Sequence, residues 1–186
     1  LAQLKKNLSE TLSIGKSSYE RVVIHTSFRL KRKEIDAINT TVKLALKDVE
    51  GKCEFAVLRV NHKSRFFGFN RAVNSLVPYE ATTVRLGGGQ YLIWFEGIFP
   101  DKPTVNKAYP GPTLVEFMRL NEDSDQSVDS LLQDLVNLSG ANWRGFNAKS
   151  APVSVFYCHL VADLVHDFHR QGLPLPKIVD LRPWFL

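Results

Sequence analysis

RVVIHTSF, residues 21–28, is a run rich in β-branched side chains, set between two stretches whose apolar residues recur at helical spacing. Such a run reads as a buried strand. Before it, Leu1, Leu4, Leu8 and Leu12 mark one face of an amphipathic helix that Gly15 ends. After it, KRKEIDAINTTVKLALKDVE places Ile35, Ile38, Val42, Leu46 and Val49 on one face of a second helix, stopped by Gly51. A basic cluster, Arg29, Lys31, Arg32 and Lys33, leads into that helix. A buried strand flanked in this way is the unit of a sheet with helices on its faces.

The rest of the chain continues the pattern. CEFAVLRV is a second strand, and the basic, aromatic segment NHKSRFFGFN follows it. TTVRLGGGQYLIWFEG reads as two strands joined at a glycine turn. GGG at 87–89 lacks the Lys-Ser/Thr of a phosphate loop and precedes a strand, so the hairpin is the better reading. A proline-rich loop from Ile98 to Pro112 leads to the strand TLVEFMRL. Ser127 caps a helix carrying Val128, Leu131, Leu132, Leu135 and Leu138, which ends at Gly140. Pro152 suits the first position of a last helix, capped by Ser150 or Ala151 and running to about Gln171. The tail LPLPKIVDLRPWFL reads as an extended segment packed on the body. The expectation is one α/β domain over residues 1–186, a mixed sheet with helices on both faces.

At 186 residues, 44% hydrophobic and 23% charged, the composition is that of a globular chain. No apolar run reaches the ~20 residues of a membrane span, and LAQLKKNLSETL has no signal-peptide layout. Leu at position 1 suggests a piece of something longer. Cys53 and Cys158 show no metal-site spacing and are expected as reduced, buried thiols of a cytoplasmic protein. The net charge of +5 favours a polyanionic partner.

Three groups of residues carry chemistry. His159, Asp163 and His166, at i, i+4 and i+7, would share one helix face, suited either to a metal or simply to solvent. NHKSR places His62, Lys63, Ser64 and Arg65 directly after a strand, where cations and hydroxyls suit phosphate. Phe66 and Phe67 beside them read either as base stackers or as core residues. NWRGFNAKSAP (142–152) combines Arg144, Asn147, Lys149 and Ser150 with Trp143 and Phe146. Its aromatics read as anchors and its polar groups as ligands for a nucleic-acid backbone, helped by the donors of a helix start. A two-metal nuclease site needs convergent carboxylates at strand ends. The end of RVVIHTSF offers His, Thr and Ser, and the nearest acids are Glu20 and Glu34.

Read together, NLSGANWRGFNAKSAPVSVFYCHLVADLV and the closing RPWFL resemble the C-terminal part of an Argonaute PIWI domain. RVVIHTSF resembles the family's strand before its third catalytic acid, and NHKSR its His-x-Ser/Thr-Arg element. YLIWFEG with GANWRGFNAKS is most similar to the short, nuclease-inactive prokaryotic Argonautes. The resemblance implies an RNase H-like fold, of which residues 1–186 form the second half. It implies that Arg144 and Ser150 hold the guide-strand backbone with Lys149 beside them, and that Arg65 stands near the seed region of the guide. His159 matches the last metal ligand of slicing members, whereas Ser27 stands where their third catalytic Asp belongs. Leu164 replaces an arginine that approaches the guide 5′ end. The carboxylate of Leu186 would help hold Mg2+ in the 5′-end pocket, since a carboxylate beside a phosphate requires a cation between them.

The resemblance thus implies a catalytically inactive PIWI domain binding a guide RNA or DNA and its target within a guide-directed prokaryotic defence system. A sirtuin-like or TIR-type effector, in the same chain or operon, would be its partner. The alternatives are an active guided nuclease completed by upstream acids, and an interaction domain that binds no nucleic acid.

Overall fold

The molecule is represented by a computed structural model that describes residues 2–13, 21–45, 54–74, 77–98, 111–120, 128–141 and 150–174. Strand β2 (Glu54–Asn61) organises it. Successive side chains of a strand point to opposite faces, and here both faces are buried. Phe55 and Val57 enter one apolar cluster, while Leu58 and Val60 enter another. A strand of that kind belongs in the interior of a sheet covered on both sides.

Its neighbours supply that arrangement. β1 (Arg21–Thr26) runs parallel to β2, with Val23 opposite Ala56 and His25 opposite Leu58, but as the end strand of the described sheet it is part-buried, not buried as expected. β5 (Thr113–Leu120) flanks β2 on its other side, antiparallel, with Asn61 opposite Leu114. β3 (Thr83–Gly87) and β4 (Gln90–Ile93) form the hairpin that completes the order β1-β2-β5-β4-β3. Gly87, Gly88 and Gly89 all have positive φ (100°, 57° and 73°), which explains three glycines in succession. The hairpin reading of GGG therefore holds.

Helix α2 (Arg32–Ala45) covers one face, packing Ile38, Val42 and Ile35 on Val22, Ile24, Phe55 and Val57. The backbone N–H of Lys31 donates to Glu34 Oε2 at 2.7 Å and caps its first turn. Helix α1 (Ala2–Ser13) lies against α2. The other face is covered by α3 (Val128–Gly140), through Leu132 and Leu135, and by α4 (Val153–Arg170), through Val155. Fully burying a leucine such as Leu135 contributes about 1.5–3 kcal/mol. The expected mixed α/β sheet with helices on both faces is what the chain forms.

Several details differ from the sequence reading. β1 ends at Thr26, not Phe28, because the Thr26 hydroxyl donates to the Phe28 carbonyl at 2.8 Å and turns the chain away from the ladder. Pro152 is the cap of α4 rather than its first helical residue. Cys158 is exposed, contrary to the buried thiol expected, because α4 buries only Val155. Leu46, Val49, Cys53, Ser127 and the tail from residue 175 lie outside the described residues. No helix among those described is long and apolar enough to cross a membrane.

Candidate nucleic-acid interface

The C-terminal ends of parallel strands β1 and β2 and the start of β5 share one end of the sheet, as their register requires. In open α/β sheets this is where ligands bind. Three connections bring side chains to that end. Thr26, Ser27 and Phe28 follow β1, with Ser27 half-buried in the turn that the Thr26 hydroxyl closes. The segment 62–70 follows β2. There the backbone N–H of Lys63 donates to Asn61 Oδ1 at 3.1 Å, and the Ser64 hydroxyl donates to the Pro112 carbonyl at 2.6 Å. Those bonds consume Ser64 in positioning the segment and leave Lys63 and Arg65 exposed. The third connection enters α4, where the Thr113 hydroxyl donates to the carbonyl of exposed Ser150 at 3.4 Å.

Helix α4 closes over this end through two imidazole contacts. His25 Nδ1 lies 2.8 Å from Ser154 Oγ. His62 and His159 pack edge to face with ring centroids 4.9 Å apart. Burial pushes the His25 pKa below its usual 6.5, opposed by the charge of Asp134. His62 is also lowered, by burial first and then by electrostatic interaction with His159 and Lys63. Its Nδ1 is buried and meets no hydrogen-bond partner among the described residues.

The structure thus brings Ser27, His62, Lys63, Arg65, Ser150 and His159 to one end of the sheet. Arg144, Asn147, Lys149 and Leu186, with Trp143 and Phe146, lie outside the described residues. The face of His159, Asp163 and His166 does not form a metal site: among the described residues no group of three or more His, Cys, Asp or Glu could hold an ion. Phe66 and Phe67 are exposed (47% and 72%), which rules out the core reading for them. The pairing of His25 with Ser154 was not legible, since 129 positions separate them.

A second feature escaped the sequence reading. On the α2 face, a cleft of about 840 Å³ is lined by Arg29, Lys31, Arg32, Gln90, Glu116 and Met118 among others. Its floor carries a network in which Arg59 pairs with Glu116 and Gln90 Nε2 donates to Glu116 Oε1 at 2.8 Å. Burial raises the Glu116 pKa, but the hydrogen bonds from Gln90 and Arg59 and the charges of Arg59 and Arg29 outweigh it and hold the group below its ordinary value. The basic cluster ahead of α2 is the part a sequence shows; the acid it faces comes from β5.

No family model matches the chain. A Piwi protein of Archaeoglobus fulgidus is 28% identical over 181 residues, covering 90% of this chain and 42% of that protein. The chain therefore spans less than half the length of that curated relative. Among solved structures, Clostridium butyricum Argonaute bound to a guide DNA and a 19-mer target DNA superposes with a TM-score of 0.64 at 16% identity, over 89% of this chain and 20% of that one. The C-terminal lobe of a budding yeast Argonaute gives 0.60 at 12% identity, over 85% and 36%. The A. aeolicus Argonaute gives 0.58 at 16% identity, over 84% and 21%. At these identities the structural likenesses establish the fold, an RNase H-like mixed sheet. The chain is thus similar in sequence to a Piwi protein over most of its length, and it shares the fold of the C-terminal part of Argonaute structures.

Proposed function

We propose that this chain helps hold a guide strand and its paired target by their backbones, and does not itself cut them. The observation that carries the reading is the chemistry at the end of β1. Ser27 stands where the resemblance puts a catalytic Asp, and His25, His62, His159 and Ser154 lie at the same end of the sheet. Magnesium takes oxygen ligands, carboxylates above all, so the donors that the described residues bring to this end do not fit a two-metal site. Lys63 and Arg65, exposed at the same end, suit phosphate contacts. The solved Clostridium butyricum relative is bound to guide and target DNA, and that pairing is the ligand class proposed here. Sequence would then be read by base pairing, and the protein would grip charge and shape.

Arg144, Asn147, Lys149 and Ser150 belong to the same proposal, as does a Mg2+ ion at the guide 5′ end held by the Leu186 carboxylate. So does a cytoplasmic, guide-directed defence role with a sirtuin-like or TIR-type effector. Retention of His159 favours one competing reading, a guided nuclease whose acids come from outside these residues; metal-dependent target cleavage by the protein would establish it.

Binding of a guide–target duplex to the full chain, followed by fluorescence anisotropy at about 50 and 200 mM salt, tests the main reading. Replacing Arg65, Arg144 and Lys149 together by Ala should flatten the slope of log affinity against log salt by roughly 2–3. Unchanged affinity and slope would remove the assignment.

A further inference from the structure

We propose that Phe67 and Phe69 form a stacking platform for unpaired nucleobases, bordered by Lys63, Arg65 and Arg71. This rests on the nucleic-acid-binding reading above and adds to it a preference for single strands. Phe66, Phe67 and Phe69 are 47%, 72% and 50% exposed within four residues. Large apolar groups concentrated in this way mark an interaction site.

Their exposure is imposed by a segment fixed at several points. Ser64 Oγ donates to the Pro112 carbonyl at 2.6 Å. Asn70 Oδ1 accepts from the N–H of Ala72 at 3.1 Å and caps a short 3₁₀ turn, Arg71–Val73. Between these points, Gly68 is pressed against buried Trp94. A Cβ at position 68 would stand 2.6 Å from Trp94 Cζ2 and 3.0 Å from Pro78 Cγ. The chain approaches the body at the one residue without a side chain, and the phenylalanines on either side of it stay in solvent.

Charge selects the occupant. From Asn61 to Tyr79 the sequence has no Asp or Glu, while Lys63, Arg65 and Arg71 are all exposed. Exposed aromatic rings among cations, without acids, match a strand that offers phosphates and π-faces together. An apolar protein partner would call for the rings but not for three exposed cations. A fully paired duplex would use the cations but keep its base faces stacked inside.

The test compares the full chain with a Phe67→Ala/Phe69→Ala variant, using anisotropy of a labelled 12-mer single strand and of the same sequence fully paired. Stacking is worth about 1–3 kcal/mol per base, so the variant should bind the single strand at least about fivefold more weakly and the duplex within about twofold of the parent. A Phe67→Tyr/Phe69→Tyr variant keeps the rings and should bind like the parent, which separates stacking from any loss of fold. Single-strand binding unchanged in the Ala variant, or lost equally for both ligands, overturns the platform and leaves backbone gripping standing. A parent chain that binds neither ligand overturns both readings. A change in oligomeric mass on light scattering without a change in single-strand binding assigns the rings to a protein contact, and also overturns the platform.

Discussion

Replacing Gly97 by Ala should destabilise the chain more than any other single added methyl at a described glycine. The segment carrying Gly97 crosses residues 78–82, where Ile98 N–H donates to the Pro78 carbonyl at 3.0 Å and Glu80 N–H to the Ile98 carbonyl at 3.1 Å. A Cβ on Gly97 would lie 2.3 Å from Glu80 N, 2.6 Å from the Pro78 carbonyl oxygen and 2.6 Å from the Tyr79 carbonyl carbon. All three are backbone atoms, so no side-chain rotation relieves the overlap and the two segments must separate. Overpacking of this kind costs about 1–3 kcal/mol. Weakening the two flanking hydrogen bonds adds about 0.5–1.5 kcal/mol each. The sum, roughly 2–6 kcal/mol, lowers Tm by at least about 4 °C in a chain of this size. Thermal unfolding followed by circular dichroism measures it, with Gly111→Ala as control, since a Cβ there meets nothing within 4 Å. A Gly97→Ala Tm within about 1 °C of the control would refute the steric argument.

Two further outcomes follow from the polar groups. Arg59→Met leaves Glu116, 14% exposed, with Gln90 but without its ion-pair partner, and should cost about 1.5–3 kcal/mol in denaturant unfolding. Arg59→Met/Glu116→Leu should recover most of that, because removing both members of such a pair is far cheaper than removing one; no difference between the two variants would refute the pairing. The His25 pKa is held below 6.5 by burial, so the unfolded chain takes up this proton first. Its contribution to stability is therefore complete above about pH 6.5 and declines as the pH falls through the lowered folded value. His25→Gln should make Tm less sensitive to pH between about 7.5 and 5.5; an identical pH dependence in both proteins would show that His25 is not involved.

Local pattern carried the sheet. The β-branched run at 21–26, the leucines of α3 and the three glycines at 87–89 each report a conformation that neighbouring residues set, and each forms the element its pattern predicts, although β1 is part-buried and not buried. Helix α4 shows the limit. VSVFYCHLVADLV is apolar enough to suggest deep burial, yet Val155 is its one buried residue, Leu160 is 46% exposed and Cys158 is exposed. Composition states how much apolar surface a helix carries; which neighbour covers it is a tertiary fact. The exposed phenylalanines failed to declare themselves for the same reason. FFGF fits a core strand as well as a platform, and only the closeness of Gly68 to Trp94 decides between them.

On the proposed reading, serine in place of a carboxylate at position 27 changes the meaning of the residues around the end of β1. With acids converging there, the site would be negative and would repel a phosphate backbone until divalent ions neutralised it. Ser27 removes one such charge, and the neighbouring His25 and His62 are held towards the neutral state by burial. Lys63 and Arg65 then set the sign of the local field, and a backbone can approach without a metal between. His159, packed edge to face on His62, adds to that surface from α4. On that reading, an end of the sheet with serine at position 27 suits a nucleic-acid backbone better than a pair of hard cations.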